Sequence, residues 1–366
     1  MNSVLNRRVV TRSFAIAGLA FSLVGTSFAQ HYTRTDLTAN SASVSSAPIL
    51  DPNLVNPWGL SRGSTSPWWT SDEGTGLSTL YNETGAIQGL VVAIPRAAGG
   101  KGPSSPTGTV FNYTTNFWVG PKQPAVFLFS SLDGTISGWN PGANAGAAIQ
   151  RISRPLHAVY TGLAIATASD GPRLYATNFL TGKVDVFDAQ FNQITKGGFQ
   201  DSTLPEHYVP FGVQTVGGNI VVTFAQHEPG SKFETHGAGL GFVRVFDTDG
   251  NLLLRVQHGD YMNAPWGVAL APGDFGPFSH RLLIGNFGDG TIHAFNAITG
   301  KFEGTLLNPD GTPTTIDGLW ALSFAGDSAA NGNATDLYFT AGPNFGGDGI
   351  LGKLTATAAE QRGNSE

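Results

Sequence analysis

Apolar residues in this chain come in short alternating runs, separated by Asp-Gly, Thr-Gly or Gly-rich punctuation. Lys183-Val184-Asp185-Val186-Phe187, Phe242-Val243-Arg244-Val245-Phe246 and Thr291-Ile292-His293-Ala294-Phe295 are three such runs. A period of two predicts half-buried strands, and the Gly pairs between them predict hairpin turns, where Gly supplies the positive φ. No stretch beyond residue 30 keeps its apolar positions at helical spacing.

The runs recur in register. One phrase returns six times: Pro57-Trp58-Gly59-Leu60, Pro106-Thr107-Gly108-Thr109, Tyr160-Thr161-Gly162-Leu163, Pro210-Phe211-Gly212-Val213, Pro265-Trp266-Gly267-Val268 and the degenerate Asp317-Gly318-Leu319-Trp320. Successive copies lie 49 to 55 residues apart, and the well-formed intervals hold four runs each. Repeats of this length mark solenoids, propellers or arrays. Four strands per unit and six units predict an all-β, six-bladed β-propeller with four-stranded blades. The recurrent Gly suits an inner strand crowded against the channel. The sixth repeat has only two runs after its inner one, Asp336–Thr340 and Gly349–Leu354. Its missing outer strand is expected from Tyr32–Leu37 at the other end of the chain, which would close the ring and remove two open edges.

The termini fall outside this pattern. Arg7, Arg8 and Arg12, the apolar stretch from Phe14 to Val24 and the small residues around Ala29 read as an export leader over residues 1–29, removed near Ala29. Arg7-Arg8 matches the pair of a twin-arginine signal, and either export route leads to a secreted or periplasmic protein. The propeller is expected over 30–355 and a polar tail over 356–366. Losing the leader takes the formal net charge from −6 to −9. With that balance and no Lys/Arg cluster, nucleic acid is not expected as a partner. The mature chain offers no membrane span and is read as a monomer. It has no cysteine, which excludes disulfides, thiol catalysis and thiolate metal sites.

Asp51-Pro52-Asn53-Leu54-Val55-Asn56-Pro57-Trp58-Gly59-Leu60, Pro106-Thr107-Gly108-Thr109-Val110-Phe111-Asn112 and Leu174-Tyr175-Ala176-Thr177-Asn178-Phe179 resemble an exported bacterial β-propeller family of unknown function. Some members of that family carry a PEP-CTERM sorting tail, which is not found in this sequence. The resemblance implies the fold and export and brings no activity. More distantly the repeat is similar to NHL-type and gluconolactonase-like six-bladed propellers. The latter hold a divalent metal at the channel mouth with Asn, Asp and Glu side chains.

Candidate chemistry gathers at one mouth, where inner strands begin and second strands end. The expected polar ring there is Asn56, Asn263 and Asp317 with Asp72, Ser131, Asn178, Gln226 and Asn286. Of these, Asp72, Asn178, Asn263, Asn286 and Asp317 are hard oxygen donors of the kind Ca²⁺ or another divalent cation takes. Strand-end Asn and Asp also cap their own turns, so this reading stays open. A loop in the fourth repeat brings His227, Glu228, Glu234 and His236 within ten residues, a possible general acid–base set that matches no established zinc spacing. Trp58, Trp266 and Trp320 are expected to pack between blades, and Phe117-Trp118 to be exposed. There is no nucleophile elbow, Walker loop or dinucleotide fingerprint. The expectation is thus an exported, non-catalytic module that binds an extracellular or periplasmic ligand or protein on one face. The alternative is a metal-dependent hydrolase of lactone or ester type.

Overall fold

The computed structural model describes residues 31–195, 198–228, 231 and 233–357. The expected leader and most of the expected tail lie outside them. Six antiparallel sheets follow one another along the chain as the blades of a six-bladed propeller. Blades are numbered here by their inner strands: Pro57–Ser61, Pro106–Phe111, Tyr160–Ala168, Tyr208–Val216, Pro265–Leu270 and Leu319–Phe324. The fifth blade is regular, with Arg281–Asn286, Ile292–Asn296 and Phe302–Thr305 added outward. The first is ragged, its third strand split into Leu77–Ser78 and Leu80–Tyr81. Among the described residues helix is confined to two short turns, Gly276–Phe278 and Pro343–Gly346.

The ring closes as the sequence predicts. Tyr32–Ala39 lies antiparallel beside Ile350–Ala356, from Tyr32 opposite Ala356 to Ala39 opposite Ile350. That makes it the fourth strand of blade six, and Ile49–Leu50 adds a short fifth in parallel. Bulky rings fill the wedges between blades. Trp69 of blade one stacks on Phe127 of blade two at 4.2 Å and meets Trp139 at 4.8 Å, while Trp68 packs against Tyr338 of blade six at 4.6 Å.

The repeated Gly has a specific cause. A Cβ on Gly59 would lie 2.5 Å from the Thr107 carbonyl oxygen of the next inner strand, and one on Gly267 would lie 2.5 Å from that of Trp320. Gly108 and Gly212 meet the neighbouring backbone still more closely. At these four positions neighbouring inner strands are in near backbone contact, which only Gly permits, whereas the inner strand of blade six contains no Gly. The residue before the Gly stitches blades together: Thr107 Oγ1 donates to the Tyr160 carbonyl at 2.8 Å and Thr161 Oγ1 to that of Phe211 at 2.7 Å.

Candidate functional site: two unlike mouths

Strand pairing confirms the geometry behind the expected polar ring. Asp72 pairs with Pro57, Asn178 with Tyr160 and Asn286 with Pro265, so second-strand ends and inner-strand starts share one mouth, called here the near mouth. Their side chains are largely engaged with neighbouring loops. Asn178 Oδ1 accepts from the Val159 amide, and its Nδ2 donates to Asp185 at 3.1 Å. Asn286 Oδ1 accepts from the Asn263 amide and its Nδ2 donates to the Tyr261 carbonyl at 2.7 Å. Asn263 Oδ1 accepts from the Gly237 amide, and its Nδ2 donates to Asp289. Asn56 bridges Glu73 and the Trp320 indole. Asp317 is exposed and accepts from the Asn344 amide. Of the five expected metal donors, Asn263 and Asn286 are in direct contact. Asp72 is fully buried beneath blade one, and Asn178 belongs to the third-blade turn. Among the described residues no group of three or more His, Asp or Glu side chains is arranged to hold a metal.

The centre of this mouth is filled with rings. Trp58 stacks on Trp320 at 3.6 Å, and Phe287 stacks on the same indole at 3.9 Å. Trp58 reaches Phe211 on the opposite side of the channel at 6.4 Å and Trp266 at 6.3 Å. The Trp266 indole crosses to donate to the Thr161 carbonyl at 3.0 Å. Trp58, Trp266 and Trp320 thus contact one another across the channel, rather than filling wedges between blades. Trp58 and Trp266 directly precede the repeated Gly, and Trp320 precedes Ala321 in blade six.

The fourth-blade loop sits against this floor. His227 leans on Phe179 at 4.6 Å and donates to the Ser231 carbonyl, while Gln226 holds Glu228 at 2.9 Å. His236 meets Phe287 edge-on at 5.1 Å and pairs with Glu234 at 3.0 Å. Only His236 and Glu234 of the expected acid–base set form a pair. Large apolar residues stand exposed on loops of the same side: Leu156, Leu180, Phe233 and Phe345. Of the expected exposed pair Phe117-Trp118, only Trp118 is exposed. Phe117 is buried against Phe191.

The cavity opens at the other end. A space of about 340 Å³ lies where the inner strands finish, lined by Leu60, Arg62, Phe111, Tyr113, Gln214 and Ser323 among others. A narrow void of about 20 Å³ continues up the channel to Trp266. These lining residues fall within four residues of the end of the repeated phrase, at positions where other inner strands carry apolar residues such as Ile165 and Leu270. The sequence places candidate chemistry where inner strands begin and second strands end, and these residues lie at the opposite mouth. The one signal was the polar residues breaking that pattern, Arg62 and Gln214 above all.

Two titratable groups are buried within the blades, Asp72 in the first and His293 in the fifth. Burial raises the Asp72 carboxyl to about 8, helped by the charge of Asp51 and opposed by hydrogen bonds from Thr79 and Thr70. Burial lowers His293 to about 4, between the hydroxyls of Thr291 and Thr305.

No protein-family model matches the chain. It is similar to an uncharacterised protein of Acanthamoeba polyphaga mimivirus, 29% identical over 320 residues that cover 84% of this chain and 76% of that protein. A second uncharacterised protein of the same virus is 28% identical over 329 residues, covering 84% and 82%. Among solved structures it resembles a gluconolactonase from Xanthomonas campestris, with a TM-score of 0.50 and 14% identity over 83% of this chain and 87% of that one. It also resembles a catalytically inactive virginiamycin B lyase from Staphylococcus aureus with quinupristin, with a TM-score of 0.51 and 12% identity over 89% and 99%. At such identities the likeness is one of fold alone.

Proposed function

We propose that this chain is an exported, non-catalytic propeller that binds a small molecule through one face of its ring, akin to the exported propeller family its repeat phrases resemble. The observation that supports this reading is the far-mouth cavity. Its volume of about 340 Å³ suits a small ligand, and it sets apolar walls beside the polar side chains of Arg62, Gln214 and Ser323. The test is thermal unfolding of the purified chain against a small-molecule panel. A ligand at one hundred times its Kd adds about 2.7 kcal/mol, a shift of several degrees. A saturable rise supports the reading; metal-dependent turnover of lactones or esters contradicts it.

One arrangement favours the second reading, a metal-dependent lactone or ester hydrolase at the near mouth. The partly exposed His236–Glu234 pair is a competent general base. In that case Asn263 and Asn286 would exchange their present partners for a Ca²⁺ ion, with the exposed Asp317 as a further donor, and His227 and Glu228 would flank the base. Lactone or ester turnover by the parent chain that is lost on chelation and restored by added metal, and that is lost on His236→Gln, would establish it.

A further inference from the structure

One cationic residue, Arg62, lines the far-mouth cavity, and among the described residues no carboxylate pairs with it. Arg62 follows the first inner strand directly, and its Nε donates to the Phe324 carbonyl at 2.9 Å. Its guanidinium lies over the Trp68 ring at 5.6 Å. No carboxylate among the described residues pairs with it, and its two terminal nitrogens make no hydrogen bond. The group is nevertheless half-buried, and burial pulls its pKa below the ordinary arginine value. In a chain of net charge −6, a partly desolvated arginine without a counter-ion is unusual.

Its position is built rather than incidental. Asn331 Nδ2 gathers the Ser64 and Ser66 carbonyls at 3.2 and 3.0 Å, tying the loop after Arg62 to blade six. Trp68, beneath the guanidinium, donates its indole N–H to the Asn331 carbonyl at 3.0 Å. Gly326 lies so close to Arg62 Nη1 that a Cβ there would collide with it. Around the cavity no lining residue is acidic. Gln214 and Ser323 also line it, their side chains making no hydrogen bond among the described residues, while Leu60, Phe111 and Ile165 supply an apolar wall.

We propose that the far mouth binds a small monocarboxylic acid with an apolar body and a hydroxyl, its carboxylate paired with the Arg62 guanidinium and its polar group met by Gln214. Two parallel N–H donors suit a carboxylate in bidentate geometry. The proposal rests on the ligand-binding reading above and names the ligand class.

The test is calorimetric titration of the purified chain with lactate, 3-phenyllactate and 4-hydroxyphenylacetate, each beside its neutral primary amide. These probes reach roughly twelve heavy atoms, within the cavity's capacity. At least one acid should bind saturably, at least tenfold more tightly than its amide. Arg62→Gln should reduce that acid to the amide's affinity and leave the amide unchanged. Gln214→Leu, which keeps the Arg62 and Trp68 contacts, should weaken acid and amide alike. It serves as the second variant if Arg62→Gln does not fold. Amides binding as tightly as acids would overturn the carboxylate assignment and leave the ligand-binding reading standing. No binding by any probe, or acid binding untouched by both variants, would overturn the assignment of this site.

Discussion

The two ends of the channel are built from the same repeat, yet they have opposite chemistry. At the near mouth, residues adjoining the repeated Gly are Trp58, Phe211, Trp266 and Trp320, and their rings close the axis. At the far mouth, a few residues further along the same strands, Leu60, Arg62, Phe111, Tyr113 and Gln214 leave a cavity between them. The near mouth is rimmed by exposed apolar tips, of which Leu156 and Phe345 sit at φ of 68° and 57°. Bulky side chains rarely tolerate that conformation, so the surrounding loops hold it. Small displacements along one strand thus decide whether a ring is sealed or open. A pseudo-symmetric fold can hold a plug and a pocket less than one strand apart.

The largest effect should come from breaking the plug. Trp320→Ala removes the indole that stacks on Trp58 and Phe287 and donates to Asn56 at 2.9 Å. Denaturant unfolding should show a loss of about 3–5 kcal/mol, the usual cost of deleting a buried Trp.

The next effect is a pH dependence seated in blades one and five. Asp72 holds its proton to about pH 8 in the fold but ordinarily loses it near 3.8, so its contribution is complete at low pH and is lost as pH rises toward 8. His293 is neutral in the fold down to about 4, against an ordinary 6.5, so its contribution is lost as pH falls through that window. From about pH 4 to 6.5 the two oppose each other, and above that Asp72 acts alone. Stability should therefore fall by about 2 kcal/mol between pH 6.5 and 8. Asp72→Asn should abolish that fall, as followed by unfolding midpoints across the range.

At the far mouth the expected stability change is small and the binding change large. Gln214→Leu alters a half-buried side chain without a protein partner, and its unfolding free energy should stay within about 0.5 kcal/mol of the parent. The smallest effect is expected from calcium. Adding excess Ca²⁺ and then a chelator should leave the melting midpoint unmoved, and a reversible rise would favour the hydrolase reading.

The ring itself was legible in the chain. The period showed six units, and the sixth unit's lack of an outer run pointed to Tyr32–Leu37, which indeed completes blade six. The equivalence of Asp72, Asn178 and Asn286 was also legible, because equal spacing within a repeat becomes equal register in the sheet. What their side chains touch was not. Asn263 meets an amide of the Gly237 loop in the preceding blade, and Arg62 meets a carbonyl 262 residues away that is brought near only by ring closure. The three tryptophans were legible as buried but not as a stack, since a repeat pattern says which strand carries a residue and not which way it turns at the axis.

The most direct test of the account is hydrogen–deuterium exchange on the chain with and without saturating 3-phenyllactate. Protection is predicted at residues 60–62, 109–113 and 214–215, with none added around 226–236 or 286–289. Protection confined to the near-mouth segments, or found nowhere, would contradict it.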